Sequence, residues 1–190
     1  MRTFIAISLP QNIKARLAQL QETLKKSDAD VKWVDPQNIH LTLKFLGEID
    51  QQQITTITKA IEEVALATGS FRASLNSLGA FPKLQFARVI WVGLESGDSQ
   101  SKVIAQALEE KIEMLGIPKE KREFSSHITI GRVRSFLKKD KLAQAITEEN
   151  QKFGQEKLEF AVTAITLYKS TLTPKGPAYE ALREVNLQTT

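Results

Sequence analysis

The phrase that most constrains this chain occurs twice, as His40-Leu41-Thr42-Leu43 and as His127-Ile128-Thr129-Ile130. Strict alternation of polar and aliphatic residues is the pattern of a strand with one buried and one solvated face. Both histidines of the chain lie in these phrases, 87 positions apart. With 15 threonines in 190 residues, the chance that both carry threonine at the second following position is about 0.6%. In a regular strand His40, Thr42 and Lys44 share one face, with Leu41, Leu43 and Phe45 behind. His127 and Thr129 share a face in the same way, with Ile128 and Ile130 packed beneath. One such pair is most often no more than the wet side of a strand. The repeat makes both candidates for chemistry.

The remaining pattern supplies other elements. Residues 2–9 alternate as a strand, and Ile13, Leu17, Leu20 and Leu24 recur at helical spacing over residues 10–26. Residues 31–35 read as extended and 39–46 as the first motif strand. Asp50 and Gln53 form a helix start ahead of Ile54, Ile57, Ile61 and Val64. Strands are predicted over 70–80 and 86–95. A helix capped by Asp98 or Ser99 follows and stops at Gly116 and Pro118. The second motif strand covers 126–134, a weaker helix lies near 139–151, and strands at 157–169 and 178–187 flank a turn at 173–177. Short turns between neighbouring strands favour an α+β fold with antiparallel pairing over a doubly wound parallel sheet. The motif echo suggests two related lobes facing each other, and 190 residues suffice for one such domain over residues 1–190.

Composition removes several functions. Without cysteine there is no disulfide, thiol nucleophile or thiolate zinc site. Two distant histidines make a histidine-rich metal site implausible, and no cofactor is implied. The opening Met1–Ile7 run is too short for a signal peptide, and no stretch is long enough to span a membrane. A cytoplasmic monomer is the expectation. The net charge of +4 agrees equally well with an anionic partner or an ordinary solvated surface.

Two imidazoles and two hydroxyls converging on one volume suit a phosphate ester. A threonine hydroxyl can donate to a phosphate oxygen. One neutral imidazole can take a proton from water while the other, protonated, gives one to the departing oxygen. In-line displacement at phosphorus then needs positioning and donors, not a metal. Strand parity does not say which histidine is the acid.

The segment Lys32-Trp33-Val34-Asp35-Pro36-Gln37-Asn38-Ile39-His40-Leu41-Thr42-Leu43-Lys44-Phe45-Leu46-Gly47-Glu48 resembles the first signature of the two-histidine phosphoesterases. The branch most similar to it is the bacterial and archaeal RNA 2',3'-cyclic phosphodiesterases, long called 2'-5' RNA ligases. Phe124–Val133 resembles the second signature and Leu167–Tyr179 the C-terminal stretch. The resemblance implies a bilobal, pseudo-symmetric α+β fold, with antiparallel sheets lining a central cleft and helices outside. It implies metal-free hydrolysis of a terminal ribose 2',3'-cyclic phosphate to a 2'-phosphomonoester, with 2'-5' ligation as a secondary activity. By resemblance, His40 is the proton donor to the leaving 3'-oxygen, His127 the proton acceptor that activates water, and Thr42 and Thr129 hold the phosphate. The partner is an RNA bearing that end, tRNA fragments among the candidates. A smaller cyclic nucleotide or 2'-5' oligonucleotide, or a nucleotide-binding module without turnover, are the alternatives.

Ser126 stands where the family often has proline. Arg132 matches a family arginine that can touch the phosphate, yet it lies five residues from His127 and falls on the wrong face of a regular strand. Its role requires a bulge, for which Gly131 is the expected site. Lys44 is a candidate for the cleft rim and Phe45 for the core. Trp33 and Tyr168 are candidate stacking surfaces, with packing as the competing role. Lys25-Lys26, Lys119, Lys121-Arg122 and Lys138-Lys139 read as solvated faces that could steer an RNA end.

Overall fold

Alternation and helical periodicity resolve into four helices and nine strands in a computed structural model that describes residues 1–174 and 176–189. The order is β1 (Arg2–Ser8), α1 (Gln11–Lys25), β2 (Val31–Trp33), β3 (His40–Glu48), α2 (Gln51–Leu66), β4 (Phe71–Phe81), β5 (Val89–Leu94), α3 (Asp98–Glu113), β6 (His127–Val133), α4 (Lys139–Phe153), β7 (Leu158–Val162), β8 (Ala164–Thr173) and β9 (Gly176–Asn186). The strands form two antiparallel sheets, ordered β3-β1-β8-β9 and β2-β6-β5-β4-β7. The fold is α+β, as expected. The turn expected at 173–177 includes Lys175, which lies outside the described residues.

Each sheet carries one motif strand, and β3 meets β6 where the sheets adjoin. One contiguous set of buried aliphatic side chains includes Ile5, Ile7 and Leu41 of the first sheet and Ile90, Ile128 and Ile130 of the second. Helices pack against both sheets: α2 stays with the first, on β8 and β9, and α4 with the second, on β4, but α1 and α3 leave the sheet of the strand before them. α1 leaves the first sheet and packs on β6 and α4, whereas α3 leaves the second sheet and packs on α2 and β3.

The start of α2 is the capping box read from the sequence: Gln53 N–H donates to Asp50 Oδ1 at 2.8 Å, and Asp50 N–H donates to Gln53 Oε1 at 2.9 Å. Two expectations need correction. The cap position of α3 belongs to Gly97, at φ +81°, and Asp98 falls in the first turn. A Cβ at Gly97 would stand 2.8 Å from that of Ala73, so close backbone approach to β4 dictates glycine there. The strand expected over 157–169 is two strands. β7 pairs with β4 in the second sheet and β8 with β1 in the first, the chain changing sheets at Thr163.

Among the described residues, no helix is long and apolar enough to cross a membrane.

Candidate active site

β1 and β3 fix His40. In their register Ser8 faces His40 and Ala6 faces Thr42. Paired residues point to the same side of a sheet, so the histidine and threonine share the face of Phe4, further along the same strand pair. The imidazole stacks on Phe4 and meets the ring of Tyr179 edge-on, centroids 5.4 Å apart. Tyr168 stacks on the same Phe4 ring at 5.3 Å, and its hydroxyl bonds the Ser8 hydroxyl. Tyr168 therefore packs in the cluster around His40, with its ring against Phe4.

This apolar surrounding controls the basicity of His40. Burial favours the neutral ring and pushes its pKa down to about 4; the hydrogen bond to Asn38 opposes this, and the nearby charge of Lys14 reinforces it. Nδ1–H donates to the Asn38 carbonyl at 2.7 Å. In the neutral ring Nε2 is then the acceptor, and the Thr42 hydroxyl donates to it at 2.9 Å. Proton gain at Nε2 would reverse that bond and free the threonine hydrogen for another acceptor.

The second motif repeats the device. His127 Nδ1–H donates to the carbonyl two residues upstream, Ser125, at 2.8 Å. The ring meets Phe81 edge-on at 5.1 Å. His127 faces Gly93 and Thr129 faces Trp91 in β5, so histidine and threonine again share one face.

The register then slips. Trp91 pairs with Thr129 but Ile90 pairs with Gly131, leaving Ile130 without an opposite residue. This bulge inverts the parity beyond it: Ile130 and Gly131 are both buried, and Arg132, opposite Val89, returns to the face of His127 and Thr129. The bulge lies at Ile130, one position before the glycine expected to host it. Its carbonyl accepts from Val34 N–H at 3.0 Å and from the Gln21 side-chain amide of α1 at 2.8 Å. Arg132 is close enough that its charge acts on the Tyr179 hydroxyl, lowering a pKa that burial raises. An arginine of the second sheet is thus near a tyrosine that touches His40.

Bulges in β3 overturn two other expectations. Ile5 pairs with Lys44 and Ala6 with Thr42, so Leu43 is skipped and Lys44 turns inward. It is 1% exposed, donating to Glu109 at 2.6 Å and to the Pro118 carbonyl at 3.3 Å. Lys44 is a buried anchor for α3, not a cleft-rim cation. The same slip turns Phe45 outward: opposite Phe4 and 53% exposed, it is on the histidine side and not in the core. Beside it a groove of about 640 Å³ is bordered by Lys119, Lys121 and Arg122. Trp33 also lies elsewhere. It faces Gly131, where a Cβ would come within 3.1 Å of its ring, and packs against the core, on the opposite face from Arg132. Packing, the competing role, describes it.

Tyr179, Phe4 and Phe45 are the aromatic neighbours that strand parity missed. Tyr179 was visible only inside the C-terminal stretch, and Phe4 only as one apolar residue in a strand. Among the described residues no three His, Asp or Glu side chains gather as a metal site would.

The family described as LigT like Phosphoesterase matches the chain twice, over residues 7–91 and 92–179. The chain is 40% identical to the RNA 2',3'-cyclic phosphodiesterase of Methanocaldococcus jannaschii, covering 97% of this chain and 99% of that one. It is 35% identical to the protein of the same name from Thermotoga maritima, covering 99% and 96%. Among solved structures, TT0787 of Thermus thermophilus superposes with a TM-score of 0.80 at 27% identity, covering 100% and 99% of the two chains. The chain belongs to the LigT-like phosphoesterases.

Proposed function

We infer that this protein is an RNA 2',3'-cyclic phosphodiesterase, opening a terminal cyclic phosphate to a 2'-phosphomonoester. One observation carries the reading. The bulge at Ile130 returns Arg132 to the face of His127 and Thr129, with its charge reaching Tyr179, which touches His40, so two imidazoles, two hydroxyls and a guanidinium face the meeting of two sheets. The shared name of the two relatives supports the same substrate.

In this reading Arg132 and the threonines hold the phosphate oxygens. His127, its Nδ1 proton held by Ser125, presents Nε2 as acceptor for the proton of water. Water attacks phosphorus as the bond to the 3'-oxygen breaks, and His40 supplies the proton to that oxygen. His40 is neutral in the free protein, so it must gain a proton on binding. The approaching phosphate anion favours this. Phe45 and the cations of its groove suit the terminal base and the phosphates behind it.

The test is incubation with an oligonucleotide ending in 2',3'-cyclic phosphate, with and without EDTA, and identification of the product. A 2'-phosphate formed equally in both is expected. A 3'-phosphate, a strict divalent-ion requirement, or turnover of cyclic mononucleotides alone would overturn the reading.

A further inference from the structure

A second pocket, of about 440 Å³, opens beside His127 and is unused by the hydrolytic scheme. Its lining includes Ser125 and Ser126, the residues just before His127, and Gly93, the strand partner of His127. Its aromatic wall is Trp91, held in an uncommon way. A Cβ built on Gly79, opposite in β4, would come within 2.5 Å of the indole, and one on Gly93 within 3.1 Å. The ring thus lies across two residues that have no side chain, and it forms part of the pocket lining. Nε1 is buried without a hydrogen-bond partner, so packing alone sets the orientation. Phe81 braces the indole, ring centroids 5.2 Å apart, and also meets the His127 ring edge-on.

The charge of this pocket is opposite to that of the groove by Phe45. Asp98 and Glu123 line it, against the single cation Lys102, which pairs with Asp98 at 2.8 Å. A phosphate would meet net negative charge there, and an uncharged group would not. A flat aromatic floor suits a nucleobase, because every base has a π face.

We propose that the pocket floored by Trp91 is an acceptor subsite for an uncharged nucleoside presenting a free 5'-hydroxyl to His127. The proposal rests on the hydrolytic reading, in which His127 takes the proton of the nucleophile. The 5'-oxygen then replaces water. It bonds to phosphorus, its proton passes to His127, the bond from phosphorus to the 3'-oxygen breaks, and His40 gives that oxygen a proton. The product is a 2'-5' phosphodiester with a free 3'-hydroxyl, with no other reactant needed. Water and nucleoside compete for one imidazole, and the indole decides how well the nucleoside competes.

The chain has two tryptophans, so Trp33→Phe leaves Trp91 as the sole indole emitter. Adenosine is expected to quench its fluorescence saturably, and 5'-AMP to do so at least about fivefold more weakly. In parallel, an oligonucleotide ending in 2',3'-cyclic phosphate is supplied with adenosine, and 2'-phosphate and adenosine-extended products are counted. Trp91→Leu is expected to lower the ratio of transfer to hydrolysis at least about tenfold, and Trp91→Phe to hold it within about threefold. Quenching with no turnover would keep the subsite and sink the hydrolytic reading. Hydrolysis with no quenching, or a ratio unchanged in Trp91→Leu, would overturn the subsite.

Discussion

The imidazole of His40 stacks on the ring of Phe4, centroids 4.7 Å apart and planes 26° from parallel. That contact, with Tyr179 at the edge, excludes water and holds the pKa near 4. An acidic limb near pH 4 is therefore expected in kcat/KM, whichever way His40 moves its proton, because kcat/KM reports the free protein. Tyr179→Ala admits water and should move the limb upward, toward the ordinary histidine range. A limb that stays put would show that burial by these rings is not the cause.

The same shift makes stability depend on pH. The unfolded chain protonates His40 near 6.5 and the folded chain near 4, so the unfolded state binds more protons between these values. Stability contributed by this group is present above about 6.5 and is lost as pH falls toward 4. The upper limit is about 3 kcal/mol, less where solvent reaches the ring. Denaturant titrations at pH 7 and pH 4.5 check this, with His40→Gln expected to flatten the difference.

His40→Ala and His127→Ala are each expected to lower kcat for cyclic-phosphate opening by about 10²–10⁴, the usual worth of a positioned acid or base. Thr42→Val should cost less than His40→Ala, since it removes one hydroxyl and leaves the proton carrier. Rapid-quench product analysis distinguishes these losses from weaker binding. Full activity in either alanine variant removes the mechanism.

Gln21 holds the carbonyl of the bulged Ile130, and the bulge is what aims Arg132. Arg132→Gln is expected to reduce kcat/KM by about 10²-fold through loss of a charged donor to the phosphate. Gln21→Met leaves a buried carbonyl with one partner fewer and should reproduce part of that loss. The two changes should combine non-additively, because they act on one feature. Additive losses in the double variant would separate Gln21 from the guanidinium.

Lys44 and Glu109 form an ion pair with the lysine side chain fully enclosed. Lys44→Met strands a carboxylate and should cost about 3 kcal/mol of folding stability by urea titration. Lys44→Met with Glu109→Leu should recover most of it. Loss of RNA binding without loss of stability would instead return Lys44 to the substrate.

The contrast between Lys44 and Thr42 shows what the sequence could reveal. Parity placed His40 with Thr42 and His127 with Thr129 correctly, because each pair lies within an unbroken stretch of ladder. It failed for Lys44 and Phe45 because the skip at Leu43 exchanges their faces, until a second slip at Leu46 restores the original parity for Gly47 and Glu48. Nothing in Leu43-Lys44-Phe45-Leu46 marks that skip; the inward lysine is possible only because α3 brings Glu109 from 65 residues away. For Arg132 the sequence calls for an extra residue, since without one it falls on the face away from His127 and Thr129. Its placement at Ile130 depends on Gln21 of a distant helix, again beyond local pattern. The division of 157–169 between two sheets has the same origin: β-propensity specifies a strand but not its partner.

The exchange of α1 and α3 between the lobes governs how the molecule comes apart. Severing the chain between residues 91 and 92, the boundary of the family's two matches, yields pieces that each own strands of both sheets. The first keeps α1 with only β2, β4 and part of β5 from the sheet it covers, and the second keeps α3 with only β8 and β9 of the other. Neither piece encloses a core. The two matched halves are therefore not autonomous folding units, and the protein should melt in one cooperative transition, with both histidine-bearing strands lost together.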